Sequence, residues 1–181
     1  MDPADSLRAA AAGDQTAWEA IVDRFSGLVW ATARAHRLSR DDASDVAQTT
    51  WLRLVEHLDR IREPEKLGAW LATTARHESL RVIRHGAKEQ PTDEPDLFET
   101  PDDDTIDRLL LDRERDGLLW RAFARLSDRC KSLLRLLLSD HEPSYEEVGA
   151  ALGMPIGAIG PTRMRCLDTL RRSLDLQELS R

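Results

Sequence analysis

Residues 145–162 read Tyr-Glu-Glu-Val-Gly-Ala-Ala-Leu-Gly-Met-Pro-Ile-Gly-Ala-Ile-Gly-Pro-Thr, and this stretch decides the fold of the C-terminal half. A helix-turn-helix needs a small residue where its two helices touch, and Gly149 or Ala150 supplies one. At the turn it needs a residue that tolerates positive φ, and Gly153 does. Val148, Leu152, Met154 and Ile159 are the apolar residues that set the crossing. Upstream, Ser144 with Glu147 three positions later forms a capping box that opens the first helix. Downstream the chain turns basic, with Arg163, Arg165, Arg171 and Arg172 opposed only by Asp168 before Asp175. Such a second helix lies in the major groove, where Arg bonds guanine bidentately or holds phosphates.

On the N-terminal side of this stretch, helices are predicted over about 106–126 and from Ser127 or Asp128 to about Leu138. The first half is helical throughout. Trp18, Ile21, Val22, Phe25, Leu28 and Val29 follow the i, i+3, i+4, i+7 spacing of an amphipathic helix. A second helix starts near Ser39 or Asp41, with Ala43, Val46, Ala47, Thr50, Trp51, Leu54, Val55 and Leu58 as its stripe. Pro64 biases Glu63 away from helix, so 59–66 reads as a loop. A third long helix is predicted from Leu67 to about Arg84. No segment alternates with period two, so no strand is expected. Residues 86–105 hold three prolines and almost no apolar side chains, the composition of a linker. The fold class is therefore all-α, with two small helical domains, 1–86 and 112–181, joined by a flexible acidic connector over 87–111.

The formal net charge of −7 is unevenly spread: −1 over 1–86, −7 over 87–111 and +1 over 112–181. The acidic balance belongs to the connector and does not argue against nucleic-acid binding by either domain. Cys130 and Cys166 lack CxxC or Cys/His neighbours, which predicts small core thiols in a reducing compartment and neither a disulfide scaffold nor a zinc site. The first residues lack the layout of a signal peptide, and no membrane insertion is expected. A cytoplasmic protein is the expectation. The five histidines show no metal-ligand or triad spacing, and no phosphate or dinucleotide loop is present. Neither catalytic residues, metal nor cofactor is expected, and the chain reads as no enzyme. Arg outnumbers Lys 23 to 3, a bias suggesting a GC-rich genome.

Two motifs in order then carry a resemblance. Leu126-Ser127-Asp128-Arg129, Ser144-Tyr145-Glu146-Glu147-Val148, 152–159, Arg163 and Arg165 resemble region 4 of the extracytoplasmic-function (ECF) group of bacterial sigma factors. Asp41 to Leu52 looks like region 2.2, and Trp70 to Arg76 like the start of regions 2.3 and 2.4. The resemblance spans nearly the whole chain and implies a sigma factor that binds core RNA polymerase and recognises promoter −35 and −10 elements.

On that resemblance, Asp42, Asp45, Gln48 and Thr49 would dock on the β′ clamp helices, and region 4 on the β flap. Arg62, Lys66, Arg76, His77, Arg81 and Arg84 would hold −10 DNA, with the 62–66 loop capturing a flipped base. Thr162, Arg163, Arg165 and Arg171 would contact the −35 element. An anti-sigma factor would mask the polymerase-facing surfaces, and the acidic connector would thread the polymerase cleft. Trp18, Trp30, Trp70 and Trp120 are read as core. His77 and Arg81 replace an Asn and an acidic residue common in the family, so −10 base preference is not carried over. Pro161 predicts that the regular recognition helix starts near Gly160. From the residues alone, a dimeric helix-turn-helix regulator with an N-terminal sensing domain is the alternative.

Overall fold

The computed structural model describes residues 3–89 and 113–178, and these are helical with no strand among them. The helices are α1 (Pro3–Ala11), α2 (Gln15–Ala35), α3 (Arg40–His57), α4 (Leu67–Glu89), α5 (Arg113–Ala124), α6 (Asp128–Leu137), α7 (Tyr145–Leu152) and α8 (Ile156–Glu178). Short 3-10 turns at Leu58–Arg60 and Pro64–Lys66 bridge α3 to α4. The expected connector over 87–111 lies outside the described residues, except that 87–89 continue α4.

Local chemistry explains the helix starts. The side chains of Asp14, Ser39, Ser127 and Ser144 each accept from a backbone N–H in the first turn of α2, α3, α6 and α7. Sequence reasoning found no helix before Trp18. Yet α1 is present, burying Leu7 and Ala10 in the core of the N-terminal half.

That core gathers Ile21, Val29, Ala33, Val46, Leu54, Leu67, Leu71 and Ala75 from α2, α3 and α4. Trp18 meets Trp51 edge to face, with centroids 6.2 Å apart. Trp30, expected in the core, is 37% exposed. Its neighbours Leu28 and Val29 are fully buried, and Trp30 turns outward on the next position around the helix.

The two halves do not stand apart. Leu28 of α2 and Ala72 of α4 share a buried cluster with Leu133, Leu136, Val148, Ala151, Met154 and Ile159 of the C-terminal half. Polar contacts border it. Ser132 Oγ donates to the Ala35 carbonyl at 2.6 Å, and Arg37 pairs with Asp128 at 2.9 Å. A smaller core of Leu126, Leu134 and Cys166, with Phe123, Leu167 and Leu170 against it, belongs to the C-terminal half alone.

One expectation is overturned here. Cys130 and Cys166 are joined in a disulfide between α6 and α8. Their Cα atoms lie 5.5 Å apart, a separation a disulfide spans, while 36 residues divide them in sequence. The pairing comes from helix packing, so no local spacing announces it.

Candidate nucleic-acid and protein interfaces

The helix-turn-helix is built as its residues require. Ser144 accepts from Glu147 N at 3.2 Å, and the Glu147 carboxylate accepts from Ser144 N at 2.7 Å. Gly153 ends α7 in the left-handed region at φ +62. Gly149 is buried, and a Cβ there would sit 2.8 Å from the Met154 carbonyl oxygen. Glycine at 149 is thus what lets the turn fold back on α7.

The recognition helix does not start near Gly160. It starts at Ile156 and carries Pro161 inside it. The backbone bond Pro161 cannot give would go to the carbonyl of Gly157, itself an exposed residue. Gly160 also spares the Cβ that would crowd the proline ring from the preceding position. Arg163, Arg165 and Arg171 are exposed, as a DNA-facing role needs. Thr162 is only 7% exposed. Its hydroxyl accepts from Arg165 Nη2 at 3.2 Å, so Thr162 orients an arginine and does not itself face outward.

On α3, Asp45 and Gln48 are exposed and Thr49 half-buried. Asp42 sits in the cap, where its carboxylate accepts from Ser39 Oγ at 2.8 Å. Leu52 and Val55 continue the same face at 63% and 53% exposure. Sequence reasoning placed Val55 on the buried stripe and assigned no role to Leu52. Helical spacing from Asp45 was the available signal, since 45, 48, 52 and 55 share one side. The face therefore combines acid, amide and two large apolar side chains, suited to a protein partner.

A cavity of about 430 Å³ opens between the 3-10 turns and α4, lined by His57, Arg60, Ile61, Arg62, Glu63, Lys66 and Trp70. Trp70 packs on the core and also meets the His57 ring, centroids 6.0 Å apart. Arg62 and Lys66 thus converge on the cavity, joined by Arg60 and His57, which the sequence had not singled out. Lys66 Nζ lies 3.0 Å from Glu63, whose hydrogen bond and charge hold the lysine above its ordinary pKa.

Along α4, His77, Arg81 and Arg84 form one exposed stripe. Arg81 pairs with Glu78 at 3.6 Å. Arg76 is separated from them. It is half-buried, and its guanidinium lies 2.6 to 2.8 Å from where a Cβ on Gly153 would be. The Arg76 side chain thus rests against the turn of the helix-turn-helix.

Residues 21–89 match the sigma-70 region 2 family, covering α3, the cavity and α4. Similar proteins align over most of the chain. The RNA polymerase sigma factor YlaC of Bacillus subtilis is 27% identical, with 78% of this chain and 81% of the relative covered. The ECF sigma factor RpoE of Cereibacter sphaeroides is 24% identical over 89% and 88%. Together these matches support reading the chain as an ECF sigma factor. Two solved structures share the fold. CnrH, in complex with the cytosolic domain of CnrY, superposes with a TM-score of 0.60 at 21% identity, over 94% of this chain and 96% of CnrH. RpoE of Bartonella quintana, in complex with the anti-sigma factor NepR, also gives 0.60 at 20% identity, over 87% and 96%. As a sigma factor it directs transcription initiation. Among the described residues of this sigma factor, no helix is long and apolar enough to cross a membrane.

Proposed function

We propose that this sigma factor holds core RNA polymerase through the exposed face of α3 and reads promoter DNA at two separate places. Asp45, Gln48, Thr49, Leu52 and Val55 form the polymerase-facing surface, with the β′ clamp helices as partner. The cavity beside Trp70 takes an unpaired −10 base, and Arg62, Lys66, His77, Arg81 and Arg84 neutralise the phosphates around it. Arg163, Arg165 and Arg171 on α8 engage the −35 element, and region 4 meets the β flap. Residues 1–86 and 112–181 are the two working domains, acting in the cytoplasm. Polymerase carries the chemistry.

The observation that carries this reading is the pairing, in one chain, of a sigma-70 region 2 with a capped helix-turn-helix whose arginines face outward. The closed arrangement of the two halves is the unbound form. Polymerase parts them, freeing Arg76 for −10 DNA. A protein partner that grips the closed form would keep the factor silent, as an anti-sigma factor does.

Reconstitution with core polymerase and run-off transcription from a promoter library tests this. The expected result is transcription from a defined subset of promoters, dependent on added factor. A stable homodimer that binds duplex DNA tightly by itself, with no effect on core polymerase, would overturn it.

A further inference from the structure

The first turns of the recognition helix carry almost nothing that can hydrogen-bond a base. From Pro155 to Met164 the chain reads Pro-Ile-Gly-Ala-Ile-Gly-Pro-Thr-Arg-Met. Only Thr162 and Arg163 have polar side chains there. Thr162 is buried, with its hydroxyl engaged by Arg165. The outward stripe of α8 at i, i+3, i+4, i+7 is Gly157, Gly160, Pro161 and Met164. Two glycines without side chains and a flat proline ring leave a low surface, and Met164 rises from it at 59% exposure. Arg163 and Arg165 flank this stripe on either side.

The fold does not need this arrangement. A Cβ on Gly157 would meet nothing within 4 Å, and its φ is not in the left-handed region. Glycine disfavours helix relative to alanine, so Gly157 is a local cost with no internal return. Met164 exposes a large thioether to water when its neighbours Ile159 and Cys166 are buried. Both choices make sense against an outside surface that comes close to the helix backbone and offers something apolar.

Resting on the −35 reading above, we infer that this sigma factor reads its −35 element through an apolar contact of Met164 with a thymine methyl group. Gly157 and Pro161 let the helix sink into the major groove, and the flanking arginines hold phosphates on either side. Thymine is the one base that presents a methyl in that groove. A methionine side chain, flexible and polarizable, fits against it without needing a donor or acceptor. Discrimination then comes from methyl burial and groove shape.

The test uses holoenzyme assembled from the full chain and core polymerase. It is offered promoter duplexes randomised over the −35 segment, in two pools containing either thymine or uracil, which differ only in the methyl. The thymine pool is expected to enrich T at one or two positions. The uracil pool should lose that enrichment, and a selected duplex should bind about fourfold more weakly with uracil at that position, the effect of one buried methyl. Met164→Ala should bind the thymine and uracil duplexes equally. Gly157→Ala should unfold at an unchanged or higher temperature yet lose −35-dependent binding. Enrichment of T that survives uracil substitution, or a methyl effect that persists in Met164→Ala, would overturn the inference while leaving the −35 reading intact. No enrichment at all over the randomised segment would overturn both.

Discussion

The ring Nε2 of His36, at the end of α2, lies 2.9 Å from the carbonyl oxygen of Ala151 in the last turn of α7. The contact joins two residues 115 apart in sequence and ties the N-terminal half to the helix-turn-helix. The neutral ring donates its Nε2–H to that oxygen. Burial lowers the pKa of His36; the carbonyl raises it in part, and the Arg76 charge lowers it further.

From that shift follows a pH dependence. The unfolded or opened chain binds a proton at His36 more readily than the closed form does. Stability of closure is therefore full above the ordinary histidine value of about 6.5 and falls as pH drops through it toward the lowered value. Hydrodynamic radius measured from pH 7.5 to 5.5 should rise on acidification. His36→Gln should flatten that profile.

The shared core can be broken at one position without touching the core of the N-terminal half. Ala72 is fully buried in the cluster that spans both halves and is absent from the separate cluster around Leu54 and Leu71. Ala72→Glu would place an unpaired charge in that interface at a cost of several kcal/mol. Small-angle scattering should report an extended particle, with α-helical circular dichroism little changed. A compact particle would mean that the interface tolerates the charge.

For the disulfide, the 36-residue separation predicts a stabilisation of about 4 kcal/mol on the loop-entropy argument. The C-terminal half has a small core of its own, so the cross-link matters most once the halves have parted. In the open Ala72→Glu background, reductant should lower the denaturation midpoint of the C-terminal half. Adding Cys130→Ser should remove the response to reductant.

Docking on polymerase should depend on the apolar part of the α3 face as much as on its charge. Leu52→Asp and Asp45→Arg are each expected to weaken co-migration with core polymerase by roughly tenfold or more, the scale of a central interface residue. Both side chains are exposed in the free protein, so its thermal stability should change little. The Asp45→Arg chain should keep its ability to engage −35 DNA through the C-terminal half.

Thr162 offers a way to separate orienting from contacting. Thr162→Val keeps the shape and removes the oxygen that holds Arg165. Binding to −35 DNA should weaken by less than in Arg165→Ala, and the double variant should be no worse than Arg165→Ala alone. Additive losses would give Thr162 a separate role.

How much of this was legible beforehand depended on the range of each interaction. Capping residues, the left-handed turn at Gly153 and the apolar spacing of α2 to α4 act within a few residues, so those helices and the helix-turn-helix could be read from the string, whereas α1 and the start of α8 could not. The α3 face was half-legible: Asp45 and Gln48 stood out, but Val55 read as part of the buried stripe and Leu52 had no role until their exposure placed both on that face. Helical spacing could not say which hydroxyl faced inward on α8, and Thr162 went to the wrong side.

The order of residues along the chain was enough to read amphipathic helices and a helix-turn-helix whose second helix is basic. These follow from periodicity and local hydrogen bonding, which a linear reading samples directly. Helix packing alone buries Leu28 and Ala72 against Val148 and Ile159, rests Arg76 on Gly153 and brings Cys130 to Cys166. Each joins residues far apart along the chain, and the free energy of such contacts depends on how whole helices pack, which no short window of sequence contains.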